Sequence, residues 1–379
     1  MKKALMLASV ASMIDQFNMD NIKLLQNMGY EVDVVTNFEY GSTTSQERVN
    51  EVRAKLENDG VHTIHMPIPR KISDVKGMIN SYKEVKKLCD ENKYTLMHCH
   101  SPIGSVVARL AAKGSRKRYG TKVIYTAHGF HFFKGAPMIN WFTFFPVEWI
   151  CSFITDILIT INKEDFERSK RLLHAKTVEY VPGIGIDTRA IKNIKVNREE
   201  KLKEFGIKDE MVFLSVGELN NNKNQEVIIK ALSKVKFNFK YLLCGKGDKQ
   251  QYLEQLANDL GIGDKVIFTG YRNDIKELLH CADVFCFPSF REGLSVALME
   301  AMAAGLPCVV SKIRGNVDLI HDGVNGFLCN PASEDDFYNA IVRLCGEAEL
   351  QKKMHDSTLE FVKGFDKAEV MEKIRKIYL

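Results

Sequence analysis

The chain has 379 residues, 45% of them hydrophobic and 27% charged, with a formal net charge of +5. That length exceeds what one hydrophobic core ordinarily serves, at roughly 100–200 residues per domain, and predicts two domains. The small charge excess argues against a nucleic-acid binder. The lack of any apolar run near 18 residues argues against a membrane-spanning helix, and nine cysteines without C-x-x-C spacing argue against a disulfide or zinc framework.

The apolar run of residues 1–8 is too short for a signal peptide and breaks at Asp15, so it reads as the opening of a buried strand over 4–10. A helix is predicted over 13–28, ended by Gly29, then a strand over 32–35, a helix over 49–58 and a strand over 61–66. A long helix over 75–92 leads to a strand over 96–100, where His98 and His100 share one face and Cys99 points away. No second ligand cluster accompanies these two histidines, so no metal is expected. Ser101-Pro102 opens a helix over 104–113, and a strand follows over 122–126. Lys113, Arg116, Lys117, Arg118 and Lys122 crowd this region, as a solvated helix end or as a patch facing anionic lipid. The segments 130–133 and 141–145 are strongly aromatic, which suits a core or a membrane interface.

Pro182, Gly183 and Gly185 mark a linker. Beyond it the alternation resumes: strand 212–216, helix 226–235, strand 241–244, helix 249–260, strand 266–269, helix 274–280. Cys244, Cys286 and Cys308 sit in apolar runs and read as buried free thiols of a reducing compartment. Alternation of this kind implies mostly parallel sheets covered on both faces. The expected organisation is two Rossmann-like domains, 1–182 and 183–360, with a cleft between them and a terminal helix over 361–379.

The block 289–307 carries the most chemistry. It reads strand, loop, helix, strand, with Glu292 and Glu300 separated by seven residues. The loop lies at a strand's carboxyl end, where α/β folds hold ligands. A helix beginning near Leu294 or Ser295, behind Gly293, presents free N–H groups and a dipole that suit a phosphate. Glu292 projects from the loop and Glu300 from the second helical turn, and carboxylates accept hydrogen bonds from hydroxyl pairs. An anion at the helix tip and hydroxyls at both carboxylates describe a nucleotide sugar.

With this block, Val216-Gly217-Glu218-Leu219 followed by Lys223-Asn224, Tyr125-Thr126-Ala127-His128-Gly129-Phe130 and Gly323-Val324-Asn325-Gly326-Phe327-Leu328 occur in a familiar order. Over residues 1 to about 330 the chain resembles the retaining glycosyltransferases of family 4. The resemblance implies the α/β fold called GT-B, two Rossmann-like domains with parallel sheets facing across a cleft and a last helix crossing back to the first domain. It implies a nucleotide-sugar donor, no cofactor and no metal. Lys223 then meets the diphosphate, Gly217 allows close approach, and Lys246 and Arg272 stand nearby. Gly293, Leu294 and Ser295 form the helix start, Glu292 faces the donor sugar and stabilises positive charge at the anomeric carbon, and Glu300 holds the ribose. Residues 270–274 read the base. His128 approaches the sugar from the first domain in a positioning and electrostatic role, and Asn162, Glu164 and Asp165 line the cleft.

Two departures stand out. Glu218 occupies a position where many members have arginine, and it is expected to turn away or bond a lysine. Residues 8–12 lack the usual glycine pair. The longer stretch 126–133 is similar to bacterial exopolysaccharide and capsule glycosyltransferases acting on polyprenyl-diphosphate-linked sugars at the cytoplasmic face. The expected activity is therefore retaining, metal-independent hexosyl transfer, with a UDP-sugar as donor and a polyprenyl-diphosphate-linked saccharide as acceptor. The enzyme is expected in the cytoplasm, against an anionic membrane surface. A non-hydrolysing sugar-nucleotide epimerase and a nucleotide-sugar-binding regulator are the alternatives. A nicotinamide dehydrogenase is disfavoured, because no G-x-G-x-x-G follows the first strand. Base, sugar, linkage and oligomeric state are left open.

Overall fold

The computed structural model describes residues 2–39 and 44–379; Met1, the first residue of the amino-terminal segment read above, lies outside them. The chain forms two units, residues 1–184 with 370–379, and residues 185–369. The boundary thus follows Ile184 rather than residue 182, and the return to the first unit begins at Val370 rather than at 361. Residues 361–369 stay behind for a local reason. Ile186 accepts from Lys367 N at 2.9 Å and donates to Phe365 O at 3.0 Å, and Val362 is buried in the second unit's core.

In the first unit the strands are β1 Lys2–Leu7, β2 Tyr30–Thr36, β3 His62–His65, β4 Leu96–His100, β5 Lys122–Ala127, β6 Ile157–Thr160 and β7 Thr177–Tyr180. They form a parallel sheet in the order β3-β2-β1-β4-β5-β6-β7. Strand alternation divides the core: Ala4 and Met6 pack with Val32, Val34 and the last helix's Val370 and Ile374, while Leu5 and Leu7 pack with Met97, Cys99 and Ala108. The order reverses between β1 and β4, which makes a topological switch point.

Two helices differ from expectation. The helix expected over 13–28 is two helices, Ala11–Phe17 and Met19–Asn27, broken at Asn18. The buried Asn18 amide donates to Met13 O at 2.9 Å and its carbonyl accepts from Asn21 Nδ2 at 3.1 Å, so the side chain replaces a helical turn. The helix expected over 104–113 runs Pro102–Tyr119 and ends at Gly120, placing Arg116, Lys117 and Arg118 in its last turn, where positive charge opposes the helix dipole. Arg116 forks onto Asp156 at 2.7 and 2.8 Å, Arg118 pairs with Asp90, and Lys122 reaches Ile377 O at 3.4 Å. Much of the basic run therefore serves the fold, leaving Lys113 and Lys117 exposed.

The aromatic segment is divided. Phe130 and Phe132 are buried and stack at 4.7 Å. The helices Met138–Thr143 and Phe145–Ser152 instead leave Met138, Ile139, Phe142, Trp149 and Ile150 exposed, Phe142 by 72%. The second of these helices is anchored by Glu148, which accepts from Arg109 Nη2 at 2.9 Å and from Tyr125 Oη at 3.3 Å. Both Arg109 and Glu148 are buried.

The second unit contains β8 Met211–Val216, β9 Phe239–Cys244, β10 Val266–Gly270, β11 Val284–Phe287, β12 Cys308–Ser311 and β13 Gly326–Cys329. They form a parallel sheet in the order β10-β9-β8-β11-β12-β13, reversing between β8 and β11. Phe285 and Phe287 face one side with Leu298, Met299 and Met302 of the helix Val296–Ala303; Val284 and Cys286 face the other.

Candidate active site

The loops leaving β8 and β11 flank the second unit's switch point, where an open α/β sheet receives ligands. After β8 the backbone turns at Gly217, whose φ of +151° suits glycine. The turn is closed by Asn220 Oδ1, which accepts from Lys223 N at 3.0 Å. Asn222 and Asn224 then stitch this loop to the β11 loop. Asn222 O accepts from Phe290 N at 2.8 Å and its amide donates to Arg291 O at 3.1 Å. Asn224, in the left-handed conformation, donates to Pro288 O at 3.1 Å and to Pro331 O at 2.9 Å. Between these ties, the Lys223 ammonium donates to Glu292 Oε1 at 2.7 Å and lies 4.9 Å from the Phe287 ring centre. Both side chains of this pair are largely shielded from solvent.

The helix Val296–Ala303 starts where the sequence suggests. Ser295 is its cap, and its hydroxyl accepts from Leu298 N at 3.2 Å. Gly315 supports the approach to this start from the β12 side. A Cβ there would lie 2.2 Å from Gly293 O, at a backbone φ of +83°. Glu300 sits half-buried on the same helix. Burial lifts its carboxyl above the ordinary range, and Lys276 at 3.7 Å opposes that rise. The structure thus brings together Gly217, Lys223, Glu292, Gly293, Leu294 and Ser295, with Glu300 on the adjoining helix.

Of the two other cations, Lys246 belongs to a loop laid against this site: its carbonyl accepts from Leu219 N at 3.0 Å, and its side chain is exposed. Arg272 is held by carboxylates of its own neighbourhood. Its guanidinium forks onto Asp274 at 2.7 and 2.5 Å, pairs with Glu204 at 2.6 Å and lies over the Phe205 ring. Glu218 turns to Asn220, whose amide donates to it at 2.9 Å, and not to a lysine. Asn222 and Gly315 were not singled out from sequence. The one available signal was the run of asparagines from 220, short amides suited to bonding loop backbone.

In the first unit, half-buried His128 follows β5, and Phe17 meets its ring edge-on at 5.1 Å. Burial lowers its pKa to about 4, so the imidazole is neutral at pH 7. Asn162 and Asp165 act on the loop after His128 from beneath. Asn162 caps the helix Lys163–Leu172 through Asp165 N at 2.8 Å, and Asp165 accepts from Phe130 N at 3.1 Å. Glu164 accepts from Lys134 N at 2.9 Å.

Residues 197–360 match the family model described as Glycosyl transferases group 1, and residues 5–162 match that described as Glycosyl transferase 4-like. The chain is 36% identical to the candidate glycosyltransferase EpsD of Bacillus subtilis (strain 168), over 100% of this chain and 96% of the relative. It is 28% identical to UDP-Gal:alpha-D-GlcNAc-diphosphoundecaprenol alpha-1,3-galactosyltransferase of Escherichia coli, over 98% of this chain and 95% of the relative. Among solved structures, Anabaena HepE in complex with UDP superposes with a TM-score of 0.79 at 19% identity, covering 100% of this chain and 99% of the other. The lipopolysaccharide glycosyltransferase WaaG superposes with a TM-score of 0.72 at 17% identity, covering 99% of each chain. At these identities the likeness is one of fold.

Proposed function

The chain belongs to the group 1, 4-like glycosyltransferases and has the GT-B fold, and from that premise we propose a specific transfer reaction. A hexosyl group moves from a UDP-sugar to a polyprenyl-diphosphate-linked saccharide during surface polysaccharide synthesis, with retention of configuration and without a metal ion. The E. coli relative, matched nearly end to end, acts by its name on a lipid-linked diphosphate sugar with UDP-Gal, which supports both donor and acceptor class.

The Lys223–Glu292 pair carries the reading. A departing diphosphate needs positive charge, and Lys223, the N–H groups of the first helical turn and the helix dipole supply it. As Lys223 turns to the diphosphate, Glu292 is released to face the cationic anomeric carbon. Glu300 holds the ribose hydroxyls. Retention follows when the leaving phosphate oxygen takes the acceptor's proton on the face it departs from. The test is to offer UDP-sugars with and without an undecaprenyl-diphosphate-linked saccharide and read the product's anomeric configuration by NMR. Turnover is expected to survive EDTA; loss on chelation, restored by Mn²⁺, contradicts the metal-free assignment. An inverted product contradicts retention.

Lys223→Ala is expected to weaken UDP about tenfold or more by calorimetry. A charge-assisted hydrogen bond contributes roughly 1.5–3 kcal/mol, and about 1.4 kcal/mol is one decade. Unchanged affinity removes Lys223 from the diphosphate site.

Peripheral membrane contact is part of the same proposal. No helix among the described residues is long and apolar enough to cross a membrane. The support lies in the exposed Met138, Ile139, Phe142, Trp149 and Ile150 on two short helices, with Lys113 and Lys117 as exposed cations of the same unit. This moves the weight of the contact from the basic helix end to the apolar face. Phe142→Ser with Ile150→Ser is expected to abolish co-sedimentation with anionic vesicles. Lys113→Gln with Lys117→Gln is expected to weaken it, at about 1 kcal/mol per charge at low salt. Unaltered sedimentation of the serine variant rules out this face.

A further inference from the structure

His98, His100 and His128 form a column in the first unit. His98 Nδ1 lies 2.8 Å from Tyr378 Oη and its Nε2 lies 2.8 Å from Thr126 Oγ1. The rings of His98 and His100 are 4.2 Å apart, and His100 Nδ1 lies 3.1 Å from His128 Nε2. His98 and His100 are buried, at 0% and 1% exposure. His100 Nε2 is sealed from solvent and has no hydrogen-bond partner among the described residues. His100 and His128 border a small pocket of about 50 Å³ together with Asp15, Phe17, Asp20 and Thr126. Asp15 is held by Arg48 at 2.8 Å, and Asp20 has a partner of its own.

We propose that His100 is a positioning residue that fixes the tautomer of His128, so that His128 serves only as a hydrogen-bond donor through Nδ1–H. Two neutral rings share one proton between His100 Nδ1 and His128 Nε2. If His128 supplied it, His100 would carry its own proton on the sealed Nε2, leaving a buried N–H with no acceptor. If His100 supplies it, the sealed atom is a bare lone pair. Orphaned buried N–H groups are rare in folded proteins, rarer than unmet acceptors. His100 therefore donates, and His128 keeps its remaining proton on Nδ1. Burial among neighbouring imidazoles favours the neutral form of each ring. Tyr378 and Thr126 hold His98, and His98 holds the plane of His100.

The chemical consequence is specific. His128 Nε2 is occupied as an acceptor and cannot take a substrate proton, whereas Nδ1–H can bond a sugar or phosphate oxygen. The purpose of that bond rests on the transferase reading; the position of the proton does not. The test is therefore first made on the ligand-free protein. Imidazole ¹⁵N spectra of histidine-labelled protein, with His128 identified by its loss in His128→Asn, are expected to show a protonated Nδ1 and a bare Nε2. In His100→Asn the side-chain amide can occupy the place of Nδ1, and this pattern is expected to persist. In His100→Leu it is expected to shift to the Nε2–H form that free imidazoles prefer.

With a UDP-sugar that the wild type turns over, His100→Leu is expected to lower kcat about tenfold at little-changed donor KM, the effect of one lost hydrogen bond, with His100→Asn near wild type. An Nε2–H His128 in the wild type overturns the proposal, as does an unchanged tautomer in a folded His100→Leu protein. Should the leucine variant fail to fold, the wild-type and asparagine spectra decide. Absence of turnover with every UDP-sugar would overturn the proposed UDP-sugar donor while leaving the tautomer result standing.

Discussion

Glu292→Gln is expected to lower kcat about 10²–10³-fold, the scale of removing one electrostatic stabiliser from a transition state, while UDP binds as tightly as before or more tightly. The substitution preserves shape and removes one negative charge from the position proposed to face the anomeric carbon. Ground-state contacts to UDP are untouched, so the loss falls on kcat. Affinity is not expected to fall, because Glu292 is the partner that Lys223 holds at 2.7 Å. A glutamine there competes less well than a carboxylate for the ammonium, leaving Lys223 freer for a diphosphate. Glu300→Ala, on the next turns of the same chain segment, is expected to do the reverse and weaken UDP through the ribose. Rapid-quench turnover and calorimetry on the two variants separate the roles; weaker UDP binding in Glu292→Gln, or unchanged turnover, rejects this assignment.

Arg109→Ala is expected to destabilise the first unit by about 3–5 kcal/mol, the cost of stranding one member of a buried ion pair. Arg109 is 1% exposed, donates to Glu148 at 2.9 Å and lies 4.3 Å from the Tyr125 ring centre. Its loss leaves the Glu148 carboxylate buried with, among the described residues, only the Tyr125 hydroxyl at 3.3 Å. Arg109→Met with Glu148→Leu removes both charges and is expected to recover most of the loss, since apolar replacement of a buried pair is often neutral. The chain's two tryptophans, Trp141 and Trp149, both lie in this unit, so fluorescence-monitored urea unfolding reports on it directly. A change below about 1 kcal/mol in Arg109→Ala would show that the carboxylate is relieved by some other means.

The parts legible in the sequence are those set by short-range pattern. The strand-loop-helix-strand block with Glu292 and Glu300 could be read because apolar runs, a glycine and a serine cap specify it locally. The helix start at Ser295 was found within one residue for that reason. What could not be read depends on long-range partners. The Lys223–Glu292 bond joins residues 69 positions apart, and no spacing rule reveals that the two charges neutralise each other. The pairing of Arg272 is hidden in the same way, because Glu204 is remote in sequence and Asp274 reads equally well as a helix cap. The break at Asn18 escaped because apolar periodicity runs unbroken through a residue whose effect lies in its amide. The aromatic segment held two populations, buried Phe130 and Phe132 and exposed Phe142 and Ile150, and composition alone cannot divide them.

The bond between Lys223 and Glu292 also means that the proposed diphosphate site carries its own counter-ion. On the proposed reading, donor binding is an exchange of one anion for another, and not the filling of a bare positive hole. Simple anions such as chloride or inorganic phosphate must displace a tethered carboxylate to enter, and only a ligand with further contacts, to the helix start and through its ribose, has the means to do so. On the proposed reading, simple salts of the surroundings are expected to compete poorly with the donor for Lys223.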